Sequence, residues 1–545
     1  MGIINGCRNA IWFGCVACCV LLFLAACTNN SGSDTAQVQK SLQLNRVNLS
    51  GIIKDKNLQR CIESIAVDNG WSRLEEVAGA IKCESKGITD LAGIDALANL
   101  TAVNLSGNAI SNLEPLAYLK NLSVLNLSDN AIERIDALAA LTQLRHLNLG
   151  NNNIGDITPL SGLVNVTELM LGKNNITVIS SLELLEKLRF FDANTNNIND
   201  ISVLDRFTAL EILVLYQNSI VDLVAISGLN QLTKLFLSNN LINNIAGLSG
   251  LVKLTDLLLD GNAIEDISPL VNLSALGNLI LDQNKINDVS VFSLNSFNQL
   301  RNLGLSGNNI SELYGVSRLP GLSRISLGNN SITDIRPLSQ LVGLTNLLLE
   351  NNLIQDVSSL SMLEQLSFLR LDGNSIRDIY PLQNLNALVT LSLYGNELAD
   401  IGALSNLTNL TSLNLAANRI TSINALAWLP KLQLLWLHNN AISDISSLML
   451  LTELTVLHLS DNVINDVAVL GGLAKLQRLS LDNNAVSDVS ALMSLPELSD
   501  LRLFGNRRIT CDSLYALIAT LGSPPVDVDS NRRNSDNARP GVNCI

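Results

Sequence analysis

One polar residue keeps a fixed interval through most of the chain. Asparagine stands at Asn108, Asn130, Asn152, Asn174, Asn196, Asn218, Asn240, Asn262 and Asn284, then at Asn308, Asn330, Asn352, Asn374, Asn396, Asn418, Asn440, Asn462, Asn484 and Asn506. The step is 22 residues, except for one of 24 between Asn284 and Asn308. A constant period of this length builds a stack of similar units, a solenoid, rather than a globule. The unit is well represented by residues 254–273, LTDLLLDGNAIEDISPLVNL. Its apolar residues are Leu254, Leu257, Leu259, Ile264, Ile267, Leu270 and Leu273. They begin with strand-like alternation and continue in steps of three. Seven apolar side chains cannot offset the ordering of a whole unit, so each repeat needs neighbours on both flat faces and the array needs end caps.

The Leu-x-Leu pair marks a short strand, and successive strands stack in parallel. Twenty of them, ~4.8 Å apart, form a ladder on the order of 90 Å long. The return segments need more room than the strands and take the convex side. The asparagine amide both donates and accepts, so it suits buried backbone groups where the chain leaves the strand. A second column is acidic: Asp156, Asp200, Asp222, Asp266, Asp288, Asp334, Asp356, Asp378, Asp400, Asp444, Asp466 and Asp488. Adjacent members, about 5 Å apart, mimic the carboxylate pair of a retaining glycosidase. The stacking alone produces that spacing, and a short polar side chain before a turn bonds local backbone. No enzymatic role is expected.

The motif L-x-x-L-x-L-x-x-N-x-I resembles the leucine-rich repeat family. With D-I-x-P-L following, it is similar to the 22-residue class of bacterial internalins and SDS22-type phosphatase regulators. The resemblance spans about four-fifths of the chain. It implies an α/β solenoid: an arc of about twenty repeats with parallel strands on the concave face, short helical or irregular convex segments and capped ends. The internalin likeness implies a role in adhesion or host contact.

The ends carry the remaining signals. Residues 10–26 are an apolar run preceded by one basic residue, Arg8. The run is short for a membrane span and sits where a secretory signal sits. It closes Leu24-Ala25-Ala26-Cys27, which resembles the lipobox of bacterial lipoproteins. That likeness implies a signal peptide over 1–26, cleavage before Cys27 and acylation of Cys27. Thr28 follows, rather than Asp, which implies outer-membrane sorting. Residues 27–48 read as the lipidated cysteine and a flexible tether. Residues 49–80 read as an N-terminal cap, 81–510 as the array and 511–545 as a C-terminal cap. Within the first cap, Asp55 starts a helix through Leu58, Cys61, Ile62 and Ile65 that Gly70 ends. Ser72-Arg73-Leu74-Glu75 reads as a capping box. Cys61, Cys83, Cys511 and Cys544 flank the regular repeats and read as two cap disulfides. The formal net charge of −14 comes largely from the acidic column and argues against binding a nucleic-acid backbone.

Recognition belongs to the strand positions two, four and six residues before each asparagine, which line the concave face and which folding leaves free. Two clusters stand out among otherwise polar columns. The first holds Met170, Phe190, Ile212, Val214, Tyr216, Phe236, Leu258 and Ile280. The second is Phe368, Arg370, Tyr394, Leu434, Trp436, His438, His458, Arg502 and Phe504. Aromatic residues and arginine dominate binding hot spots. Strand propensity explains such residues singly but not their clustering. His438 and His458 lie on neighbouring strands without a third ligand, so no metal is expected, and no cofactor motif stands out. The expected protein is a monomeric, envelope-anchored scaffold that binds a protein or glycan through its concave face. Two alternatives compete: an intracellular phosphatase regulator, and a periplasm-facing scaffold for envelope assembly.

Overall fold

The inward side chains of one repeat account for the whole architecture. Leu254, Leu257, Leu259, Ile264, Ile267, Leu270 and Leu273 are all at most 2% exposed. Leu257 sits in the three-residue strand Asp256–Leu258, and Leu270 in the 3-10 turn Ser268–Asn272. The computed structural model describes residues 47–294, 297–521 and 526–527. Over them this unit recurs from the strand Ala78–Lys82 to the strand Asp500–Arg502, with the short strand Val526–Asp527 beyond. Each strand pairs in parallel with its neighbours in the chain; the first pair slips by one residue between Gly79 and Ala80, and in the array beyond, Leu235, Leu257, Leu279 and Leu303 lie side by side. The strands make one 21-stranded sheet, and the return segments are almost all 3-10 turns. The sheet lines one side of an arc and the turns line the other.

The asparagines stitch the repeats together. Asn262 Nδ2 donates to the carbonyls of Leu237 (3.0 Å) and Leu259 (2.9 Å), and Oδ1 accepts from the Ile242 amide (3.0 Å). Each amide thus satisfies backbone groups of two repeats at once. The 24-residue step leaves this intact: Asn308 donates to Leu281 and accepts from Ile286, both at 3.0 Å. The additional residues form helix α2 (Val291–Leu294) on the convex side, while the flanking strands Asn278–Ile280 and Asn302–Gly304 stay paired in register. The acidic column opens the 3-10 turns. Asp266 Oδ1 accepts from the Ser268 amide (2.8 Å), and Asp156, Asp200 and Asp488 do the same two residues on. The Thr158 hydroxyl holds the Asp156 carboxyl below the usual range, and the Ser202 amide does so for Asp200. The residue before each asparagine takes a left-handed backbone. Glycine does so readily (Gly261, φ +68°), but Thr195 (φ +51°) and Ala417 (φ +56°) are held there too.

The N-terminal cap is helix α1 (Lys56–Asn69). Asp55 Oδ1 accepts from the Asn57 and Leu58 amides (2.8 and 3.0 Å), and Oδ2 from the Thr89 amide (2.9 Å), which ties the helix to the first turn of the array. Gly70, at φ +72°, ends it. Cys61 bonds to Cys83, which fills an inward leucine position and is fully buried. Two details differ from expectation. The first strand starts at Ala78, so the array begins before residue 81. Glu76, not Glu75, closes the second cap: it accepts from the Ser72 and Arg73 amides (2.7 and 3.1 Å), because the 3-10 turn Leu74–Glu76 places its carboxylate over both. At the far end, helix α3 (Cys511–Leu521) buries Leu514 and Leu517 against the last repeat. Cys511 is disulfide-bonded. Cys544, Cys27, the signal-like segment 1–26 and most of the tether lie outside the described residues.

Candidate docking surface on the concave face

The first cluster is continuous along the sheet. Met170, Asp192, Val214, Phe236, Leu258 and Ile280 occupy successive rows of one column. Val214 and Ile280 are only 2% exposed and Phe236 9%, yet none belongs to the contiguous core. They are buried sideways. Rows ~4.8 Å apart on the inner side of a curve crowd their side chains, and large neighbours cover one another. Ile280 also leans over the bare backbone of Gly304, where a Cβ would lie 3.0 Å from its Cγ2. The centre of the first patch, expected to contact a partner, is thus a sealed seam. Met170, Phe190, Ile212, Tyr216 and Leu258 are half-buried around it. Two carboxylates share the seam. Asp192 accepts from the Asn194 amide (3.0 Å) and side chain (2.6 Å), and Asp260 from the Ser238 hydroxyl. Burial pushes both carboxyls above their usual range, and burial and the Asp192 charge push the Tyr216 phenol up.

At the near end of the second cluster, Arg370 is held by acidic neighbours. Arg370 donates through Nε and Nη2 to one oxygen of Asp372 (3.0 and 2.8 Å), and its Nη1 lies 3.8 Å from Glu350. The other Asp372 oxygen accepts from the Ser392 hydroxyl and the Tyr394 amide (3.0 Å). Arg370 is therefore locked in place rather than free to reach out. Glu350 and Asp372, both buried, escaped the sequence reading. Their signal is acidity two residues before Asn352 and Asn374, flanking an arginine in the middle column.

The second cluster is open. Tyr394 is 44% exposed and Phe504 37%. Arg502 is exposed, and Phe368, Leu434, Trp436, His438 and His458 are half-buried. Four rings form one contiguous group. Trp436 stacks on His458 (centroids 6.3 Å, planes 7° apart), His458 meets His438 edge-on (6.4 Å), and His438 meets Tyr394 (6.3 Å). Tyr394 and His438 close over Ala416, which lies between them in the column and is fully buried. Among the described residues, no ring contact joins Phe368 or Phe504 to this group, and no three metal-ligating side chains gather. Burial, then His438, then Arg502 push His458 down to about 4; burial lowers His438 against the pull of Asp461. Two unit charges at this separation repel by ~2–3 kcal/mol at an effective dielectric of about 20. That exceeds the ~0.5–1 kcal/mol an imidazolium gains on an indole face.

Repeat, asparagine ladder and lined inner face together define a leucine-rich-repeat solenoid. A family described as leucine-rich repeats, two copies, matches at residues 120–162, 298–340 and 386–428. No curated protein matches the chain in sequence. Among solved structures, the chain resembles a TDR receptor (22% identity, TM-score 0.64, covering 81% of this chain and 86% of that one). It also resembles the plant peptide hormone receptor RGFR1 in complex with RGF2 (20% identity, TM-score 0.54, covering 80% and 88%). The internalin inlF from Listeria monocytogenes aligns at 24% identity over 84% of this chain and 97% of that one, with a TM-score of 0.32. At these identities the likeness to the two receptors establishes the fold.

Proposed function

We propose that this chain is a binding scaffold of the bacterial envelope that docks a protein partner on its concave face, with Tyr394, Trp436, His438, His458, Arg502 and Phe504 as the contact. The observation that carries the reading is the open ring cluster on a surface already rigid before binding, where little ordering cost opposes association. The plant peptide hormone receptor RGFR1, of the same fold, is solved in complex with RGF2. Anchoring is through acylated Cys27 and the tether after it. The Cys61–Cys83 disulfide supports an oxidising compartment over the cytosol of a phosphatase regulator, and a Cys511–Cys544 bond closes the other cap.

A photo-crosslinking residue at position 394, compared with one at the exposed convex Tyr118, tests the reading on intact cells. A protein captured from 394 and not from 118 supports it. Capture from 118 alone, or of a glycan only, overturns it. Cys27→Ala is expected to move the chain from the membrane to the soluble fraction.

A further inference from the structure

The two histidines of the ring cluster are titratable rings that touch each other on the inner face. His438 and His458 are in edge-on contact, Trp436 covers the other side of His458, and Tyr394 borders His438. The charged groups around them are unevenly disposed. Asp461 draws a proton toward His438. His458 faces Arg502 and Arg478, with Asp500 opposing them. Asp500 itself lies 3.9 Å from Arg502, and an oxygen of Asp482 accepts from the Phe504 amide. The first proton is therefore taken at His438, and a second meets a neighbouring cation and two guanidinium groups.

We propose that His438 and His458 are a proton-operated release device on the docking surface: neutral, they keep the four rings in contact as one platform, and protonated, they force the rings apart and release the docked partner as the medium turns acid. This rests on the docking reading above and adds its regulation. A partner that covers the rings desolvates the imidazoles further, so binding selects their neutral forms and affinity falls with pH.

The chain contains three histidines, so selective labelling of the imidazole Cε1 positions gives three assignable signals in the full-length protein, with no partner needed. His146, paired with Glu168 on a distant row (2.9 Å), is the internal reference. The expected result is a linked two-step titration of His438 and His458, the later step near pH 4, with Trp436 fluorescence changing in the same steps. His438→Gln is expected to raise the His458 midpoint by more than half a pH unit, while His146→Gln leaves it unmoved. Independent single-step titrations, or a His458 midpoint indifferent to His438→Gln, overturn the release device. A shift produced by Zn2+ at neutral pH also overturns it, in favour of a metal site. Capture from position 394 is then compared at pH 7 and pH 4. At least a tenfold loss at pH 4 that His438→Gln/His458→Gln abolishes supports the release device; pH-independent capture refutes it while leaving docking intact. No capture at either pH refutes docking, and with it the release step, even where the titrations are linked.

Discussion

The two apolar clusters use the same strand positions and meet opposite fates. Along the first, Val214, Phe236, Leu258 and Ile280 fill consecutive rows, so each large side chain finds another beside it and the row closes. Along the second, Trp436 and His458 are bracketed by Asn414 on one side and Ser480 on the other, and Ala416 separates Tyr394 from His438. There Trp436 and His458 stay half-buried and Tyr394, beside Ala416, is exposed. Accessibility on the sheet thus depends on the residues one row away, 22 positions off in the chain, as well as on hydrophobicity at the position itself.

The sharpest test of this contrast is a pair of truncations. Phe236→Ala is expected to cost about 3 kcal/mol in urea unfolding, as deletion of a buried ring does, and to leave capture from position 394 unchanged. Trp436→Ala is expected to cost at most ~1 kcal/mol and to weaken capture at least tenfold. Equal stability losses would erase the distinction between sealed seam and open cluster.

Acid separates the regions by sign. His458 is lowered in the folded state, from 6.5 to about 4, so between those values the unfolded chain binds more protons and stability falls as pH falls. The ceiling is about 3 kcal/mol at ~1.36 kcal/mol per pKa unit. Asp192 and Asp260 are raised by burial, so above the ordinary carboxylate value the folded chain binds more protons and acidification stabilises the seam. His458→Gln is expected to flatten the loss of stability between pH 7 and pH 4. Asp192→Asn is expected to stabilise at pH 7 and to lose that advantage toward pH 4. Parallel curves for both variants and the parent chain would show that neither region titrates as described.

The ladder beneath both clusters is the same, and so is its expected cost. Asn240 and Asn440 each donate to two carbonyls at 3.0 Å and accept one amide at 3.0 Å from the neighbouring repeat. Replacing either by alanine strands buried backbone groups and is expected to cost ~1–3 kcal/mol. Urea midpoints that differ widely between the two would locate the regional contrast in the backbone rather than in the lining.

Features that repeat, or that sit next to their partners in the chain, were legible in the sequence. The 22-residue period identified the solenoid, and the amide column announced its own bonds. Asp55, Gly70 and the Cys61–Cys83 pair outlined the first cap, and the 24-residue step placed the irregularity on the convex side. What stayed hidden depends on lateral neighbours and curvature. The burial of Val214, Phe236 and Ile280, the Arg370–Asp372 lock and the contact of Tyr394 with His438 across Ala416 all join different rows. The left-handed position before each asparagine was also missed, since Thr195, Gln217 and Ala417 give no turn signal of the kind glycine gives.

That left-handed position supplies the smallest test, and the one closest to the ring cluster. Ala417 sits at φ +56° beside the floor on which Tyr394 and His438 lean. Its Cβ is strained there, and glycine is not. Ala417→Gly is expected to raise stability by ~0.5–1 kcal/mol, a gain reduced by the greater freedom of glycine in the unfolded chain. Thr195→Gly, in the sealed region, relieves the same strain but also removes hydroxyl bonds to Asn194 and Gln217 (2.9 and 2.8 Å), so its net gain is expected to be smaller. If Ala417→Gly stabilises the chain and leaves the His438 titration and capture from position 394 unchanged, the open cluster is held by its rings and the small residues beneath them. A shift in that titration would mean that the strained turn, rather than the alternation of large and small rows, keeps the rings in place.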